Sequence, residues 1–179
     1  MASLEHAALL EDGVEIWNRW RLEHTDVIPD LREINLEGKR LERVNLRGAN
    51  LEGANLTRAD LISADLSHAN LTGAVLLKAN LSRANLTGSK LVGADMADAN
   101  LFASSLRGAD LNRAKLKGAN FSGADLTKAD FTAADLTNAR FWMRYFGKIP
   151  VANLAGTILT GAKLGNVDFS EVDLTHVVR

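Results

Sequence analysis

The sequence has no cysteine, which removes disulfides, thiolate metal sites and thiol nucleophiles from consideration. It has no run of 18 apolar residues, so a transmembrane helix is not expected. The first residues, Met1 to His6, carry no basic region ahead of an apolar core; no secretory signal is read there, and the cytoplasm is the expected location. Aromatic residues make up only 6% of the chain and prolines number two, beside heavy use of Leu, Ala, Asn, Asp and Gly. Such biased usage points to a repeat architecture.

Charge is close to balanced, at a formal −1, but it is unevenly spread. Residues 1–30 hold seven acids against Arg19 and Arg21, a net of −5, which leaves the other residues at +4. That surplus is too small to imply nucleic-acid binding through counterion release.

From Leu31 onward a large apolar residue returns at every fifth position. The series runs from Leu36 through Leu91, continues with Met96, Leu101, Leu106, Leu111, Leu116, Phe121, Leu126, Phe131, Leu136 and Phe141, and reaches Phe146. A small residue stands two positions before most of these centres, as at Ala54, Ala64 and Ala109. A period of five fits neither an α-helix nor a strand. On a helix, steps of five advance about 500°, so the leucines would wind round every side and form no stripe. A chain that turns a corner every five residues does collect them, because four corners close a coil with every centre pointing inward. Stacked coils can then pair their backbones at about 4.8 Å.

Tripeptides such as Ala54-Asn55-Leu56 and Ala64-Asp65-Leu66 resemble the unit of the pentapeptide-repeat family. The likeness covers about residues 31–179. It implies an all-β solenoid, a right-handed four-sided (quadrilateral) parallel β-helix, here behind an N-terminal α-helical cap. Leucine-rich repeats would require units of 20–29 residues with internal Leu-x-x-Leu-x-Leu spacing, which the sequence does not have.

The expected organisation is a capping helix and linker over residues 1–28 and a solenoid over 29–179. A single helix is read over residues 4–25, with Ser3 as N-cap, Gly13 as a modest weakness, and Leu10, Val14, Ile16 and Trp17 on one face beside Ala7 and Trp20. The earliest repeats are irregular, with Ile34, Lys39 and Val44 where Ala is usual. The register slips once: after Phe146 the centres resume at Leu154, eight residues on. The segment 142–151 is therefore read as a protruding loop or an irregular turn. Beyond Leu174 no helical cap is expected. An open coil edge invites a second copy, and several members of the family dimerise through that end, so a homodimer through the C-terminal coil is one expectation and a monomer the other.

No catalytic constellation is expected, and no cofactor or metal. His6, His24, His68 and His176 are scattered, and none has a partner at the spacing of a nucleophile–base pair. Residues twenty apart should stack, which places Asp110 over Asp130 and alternates Asp95, Lys115 and Asp135 in a second column. Both columns are read as solvated wall, the second with surface ion pairs of small worth.

Outward apolar residues are more informative. The column following the third-side centres runs Glu42, Ile62, Ser82, Phe102, Ser122 and Trp142. Val75 and Leu77 intrude on the neighbouring side, Val92 on another, and Met143 and Tyr145 lie in the irregular segment. Ile62, Phe102, Trp142, Val75, Leu77, Met143 and Tyr145 form the candidate protein-contact patch. The expected role is a non-enzymatic scaffold that docks an as yet unidentified protein partner on this side, with no membrane and no nucleic acid involved. The family resemblance supplies an alternative, imitation of duplex DNA in the saddle of gyrase. That role needs a strongly acidic surface, and the weakly basic repeat body argues against it. An ice-binding array is set aside, because threonines such as Thr57, Thr72 and Thr87 are spread over three sides.

Overall fold

The structure is a computed structural model that describes residues 2–143, 148 and 150–179. From Asp30 onward its elementary unit is five residues long: one residue paired to the next coil, the inward centre, and a tight turn. In each turn the N–H two residues before one centre donates to the carbonyl of the centre before it, as in Ala54 to Leu51 at 3.0 Å and Ala59 to Leu56 at 3.0 Å. The third residue of the turn has positive φ, for example Gly53 at 65° and Arg58 at 55°. Glycine adopts that conformation freely, whereas a residue with a Cβ is disfavoured there by about 1–2 kcal/mol.

Parallel pairing joins residues twenty apart, as in Asn35 with Asn55 and Asn100 with Asn120. Four five-residue units therefore make one coil. We number the sides by their centres: the first from Leu31, the second from Leu36, the third from Leu41 and the fourth from Leu46. Centres and small residues fill the interior, where Leu46 through Leu116 and Ala49 through Ala134 are almost wholly buried. Burying each leucine contributes roughly 1.5–3 kcal/mol by transfer from water. Among the irregular first repeats, Val44 is buried, Ile34 half-buried and Lys39 exposed.

Asn and Asp at the paired position have a local task. Asp65 Oδ1 accepts from the N–H and hydroxyl of Ser67, and Asn70 Oδ1 does the same for Thr72. These short-range bonds are the turn-forming habit of such residues. Asparagines also bond along columns, as in Asn100 to Asn80 and Asn120 to Asn100.

The single expected N-terminal helix is two helices, α1 (Leu4–Glu11) and α2 (Val14–Glu23). Gly13 divides them with φ 116°, outside any helical region; a residue expected only to weaken the helix ends it. Ser3 caps α1 by accepting from the His6 N–H at 3.5 Å. Leu10 and Trp17 are buried and Val14 and Trp20 pack against the core, but Ile16 is 46% exposed because α2 turns it outward.

Helix α2 closes the first coil by chemistry as well as by cover. The carbonyls of Arg43, Asn45 and Arg47 lie on the coil's open edge. They accept from Asn18 Nδ2 at 3.0 Å, Trp17 Nε1 at 2.7 Å and Arg21 Nη2 at 2.9 Å. Three side chains of one helix thus supply the donors that a preceding coil would otherwise give. Arg21 is 8% exposed and also donates to the Val27 carbonyl. Burial lowers its pKa, a shift that the nearby Asp65 carboxylate opposes.

Past Phe141 the pairing offset changes from twenty to twenty-eight: Asn120 pairs with Arg140, but Asp125 pairs with Asn153 and Asp130 with Ile158. Eight extra residues enter at one corner between the third and fourth sides. The centre that follows Phe141 in the coil is Leu154, since Leu126 donates to the Asn153 carbonyl. Phe146, expected as a centre, lies outside the described residues.

Candidate protein-binding face

The third side carries the outward column. Arg43 donates to the Ile62 carbonyl, Ser63 to Ser82, Arg83 to Phe102 and Ala103 to Ser122, at 2.9–3.0 Å. Ile62, Ser82, Phe102 and Ser122 therefore stand on successive rungs. Ile62 and Phe102 are half-buried.

Trp142 leaves this ladder. It pairs antiparallel with Val151, and its Nε1 donates to the Asp168 carbonyl at 3.2 Å. Ala152 returns to the Phe141 carbonyl at 2.7 Å, which closes the base of the inserted segment. The far end of that segment folds back toward the wall: a Cβ added to Gly123 would meet Pro150 Cβ at 3.2 Å. Ser122, on the same rung, is fully buried. Pro150 thus lies against the third side; residues 144–147 and 149 of the segment read as a protruding loop or an irregular turn lie outside the described residues.

Met143 and Trp142, both half-buried, line a cleft of about 350 Å³ with Phe141, Asn166 and Asp168. Tyr145 lies outside the described residues. Val75 is 36% exposed and occupies a paired position between Asn55 and Asp95, on the second side. Leu77 follows on that side and Val92 stands on the first, both half-buried. The structure therefore unites Ile62 and Phe102 in one column, sets Trp142 and Met143 at the insertion's base, and leaves Val75 and Leu77 round the corner.

Carboxylates on the wall serve their own turns. Asp110 Oδ1 accepts from Asn112, and Asp130 Oδ1 from the Thr132 N–H and hydroxyl. Burial works to raise the Asp130 pKa, but the bonds from Thr132 and Asn112 outweigh it and hold the group below its usual range. Lys115 pairs with Asp95 at 3.5 Å, as the alternating column suggests. Among the described residues no group of three His, Cys, Asp or Glu side chains is placed to hold a metal ion.

His6 and His24, distant in sequence, flank Trp20 with ring centroids 5.1 and 4.9 Å away. His6 Nδ1 also accepts from the Asp30 N–H at 3.0 Å, so both histidines belong to the cap. The ring of His68 lies over Gly88, where an added Cβ would fall 2.7 Å from Nδ1. Sequence reasoning missed Arg21 as a buried cap donor, and the only signal for it was an Arg on the apolar side of a Trp-rich helix. No helix among the described residues is long and apolar enough to cross a membrane.

The family model for pentapeptide repeats matches in eight copies, over residues 30–142 and 152–177 taken together. No curated protein matches. Among solved structures, HetL of the cyanobacterium Nostoc sp. strain PCC 7120, a pentapeptide repeat protein involved in heterocyst differentiation regulation, is 26% identical; the match covers 87% of this chain and 94% of HetL, with a TM-score of 0.46. A second pentapeptide repeat protein of Nostoc is 30% identical over 61% of this chain and 83% of its own, with a TM-score of 0.47. QnrB1, a plasmid-mediated fluoroquinolone resistance protein, is 22% identical over 82% of this chain and 91% of its own, with a TM-score of 0.37. With the repeat model matching most of its length and the matched units built on an inward Leu, Phe or, once, Met, the chain belongs to the pentapeptide-repeat family.

Proposed function

We propose that this protein is a non-catalytic scaffold whose third side docks a protein partner. The observation that carries the reading is the placement of Ile62 and Phe102 on alternate rungs of one outward column, where Ser82 and Ser122 show the more usual polar occupant. The right-handed, quadrilateral form of the coil and a cytoplasmic site of action are part of the same reading. Repeat scaffolds present long surfaces of this kind because their cores need no ligand to be stable. Affinity capture followed by mass spectrometry, with wild type and a Phe102→Ser/Trp142→Ser variant, tests it. A partner lost from the variant is expected, and retention of every partner would refute the reading.

A second contact is proposed at the far end. Leu164, Phe169 and Leu174 are centres that remain half-buried, and with Leu159 and Val167 they border an open apolar hollow of about 320 Å³. A second copy meeting this ring would cover it. Light scattering is expected to show a dimer that Phe169→Asp converts to a monomer; a wild-type monomer at all concentrations would exclude it.

A further inference from the structure

The third side is also where the positive charge of the solenoid gathers. In the first three coils its segments, 38–43, 58–63 and 78–83, hold Lys39, Arg40, Arg43, Arg58, Lys78 and Arg83 against Glu42 and Asp60. That is a net of +4 in a chain whose total is −1. All six basic residues are exposed. Arg40 pairs with Glu42 at 3.3 Å; no ion pair engages the other five among the described residues. Asp60 is turned to its own backbone, accepting from the Ile62 N–H at 3.2 Å.

Four of these residues stand where the backbone least favours them. Arg43, Arg58, Lys78 and Arg83 have φ of 61°, 55°, 57° and 60°. In the same two corner columns, Gly38, Gly118 and Gly123 adopt that conformation without strain. Arg58 and Lys78 stand on adjacent rungs of the corner before the third side, and Arg43 and Arg83 stand two rungs apart, with Ser63 between them, on the corner after it. Two basic edges therefore flank a strip that has Ile62 on its middle rung, next to the corner at Ser63, and Phe102 two rungs further on.

The dimensions of the strip match a helix. Four residues between corners, at about 3.3 Å each, give a width of about 13 Å, enough to seat an α-helix about 10–12 Å across. Rungs about 4.8 Å apart put Ile62 and Phe102 about 10 Å apart along the solenoid axis, close to the rise of seven helical residues. Such a helix would carry an apolar stripe toward Ile62 and acidic residues on both flanks, toward the two basic edges.

We propose that the third side of the first three coils is a docking strip for an acidic amphipathic helix of a protein partner, held by Arg43, Arg58, Lys78 and Arg83 and seated on Ile62. The inference rests on the third side being the binding face and adds the chemistry of what binds there. It takes the partner to be a protein because the basic edges enclose apolar Ile62 and the acidic Glu42 and Asp60, where a phosphate backbone would find nothing to pair with.

The test uses the whole protein and a labelled helical peptide with leucines seven residues apart and glutamates on both flanks. Its competitors are a scrambled peptide of the same composition and a duplex DNA. Fluorescence anisotropy at low salt is expected to show binding to the designed peptide, at least about fivefold weaker binding to the scrambled one, and loss of affinity as salt is raised. The variant with Arg43→Gly, Arg58→Gly, Lys78→Gly and Arg83→Gly removes the charges while giving each corner the residue its backbone favours. It is expected to keep its melting temperature and to bind the peptide at least about tenfold more weakly. Unchanged binding by that variant, tighter binding of the DNA, or no binding of the peptide would each overturn the proposal. If partner capture is lost in Phe102→Ser/Trp142→Ser but survives the four glycines, the binding face stands and its electrostatic character is wrong.

Discussion

The two ends of this solenoid meet the same problem differently. At the N-terminal end α2 lays Trp17 into the first coil, fully buried, and sends three side-chain donors to the carbonyls of Arg43, Asn45 and Arg47. At the other end Leu164, Phe169, Leu174, Val167, Val172 and Val177 pack against the core but stay half-buried. The coils themselves differ little. A stacked rod must satisfy both its apolar interior and its backbone edge, and only one end here does so within the described residues.

That contrast can be broken most directly at Trp17. Trp17→Ala is expected to destabilise the protein by about 3–5 kcal/mol, read by denaturant unfolding, with the first coil losing amide protection before the later ones. The same truncation along the centres should sharpen the picture. Leu66→Ala in a sealed coil is expected to cost about 2–5 kcal/mol, and Leu174→Ala at the open end clearly less, because its side chain is half in solvent. Equal losses at the two positions would mean that the far end is covered in solution.

Smaller effects follow from the polar half of the cap. Arg21→Met keeps much of the volume and removes both carbonyl bonds; about 1–3 kcal/mol is expected, with exchange of the neighbouring amides accelerated. The smallest effect is one of pH. The Arg32 guanidinium, 2.7 Å from Asp30, lowers that carboxyl to about 2. A depressed folded-state value means that the contribution is complete above the ordinary carboxylate range and fades as pH falls from about 4 towards about 2. Asp30→Asn should flatten that part of the stability profile. At the far end the Asp168 and Asp173 carboxyls are lowered too, chiefly by bonds from Ser170 and Thr175; the double variant Asp168→Asn/Asp173→Asn is expected to leave the Asp30 step in place.

Much of this fold could be read by counting. Period five forced the centres inward, and the twenty-residue stacking that follows is seen in pairs from Asp30 with Asn50 onward. What counting could not give were contacts between segments far apart in sequence. That Asn18, Trp17 and Arg21 reach three carbonyls depends on the angle at which α2 crosses the coil edge. That Gly13 ends a helix depends on the bend needed to bring α2 there. Of the candidate patch, Ile62 and Phe102 share a column because their spacing is a multiple of twenty. Trp142 keeps the spacing but loses the ladder, since the inserted segment draws it into pairing with Val151. The burial of Ser122 had no sign in the sequence, where serine in this column reads as exposed wall.

The insertion shows how this architecture keeps its place. Asp125 meets Asn153 across twenty-eight residues as Asp110 meets Asp130 across twenty, with the same parallel pairing. Alignment is carried by backbone contact with the coil beneath, so a corner can be lengthened and the next strand still lands in step. The corner between the third and fourth sides is therefore a natural splice point, where segments of other lengths or chemistries could be grafted beside the outward column while the interior stays as it is.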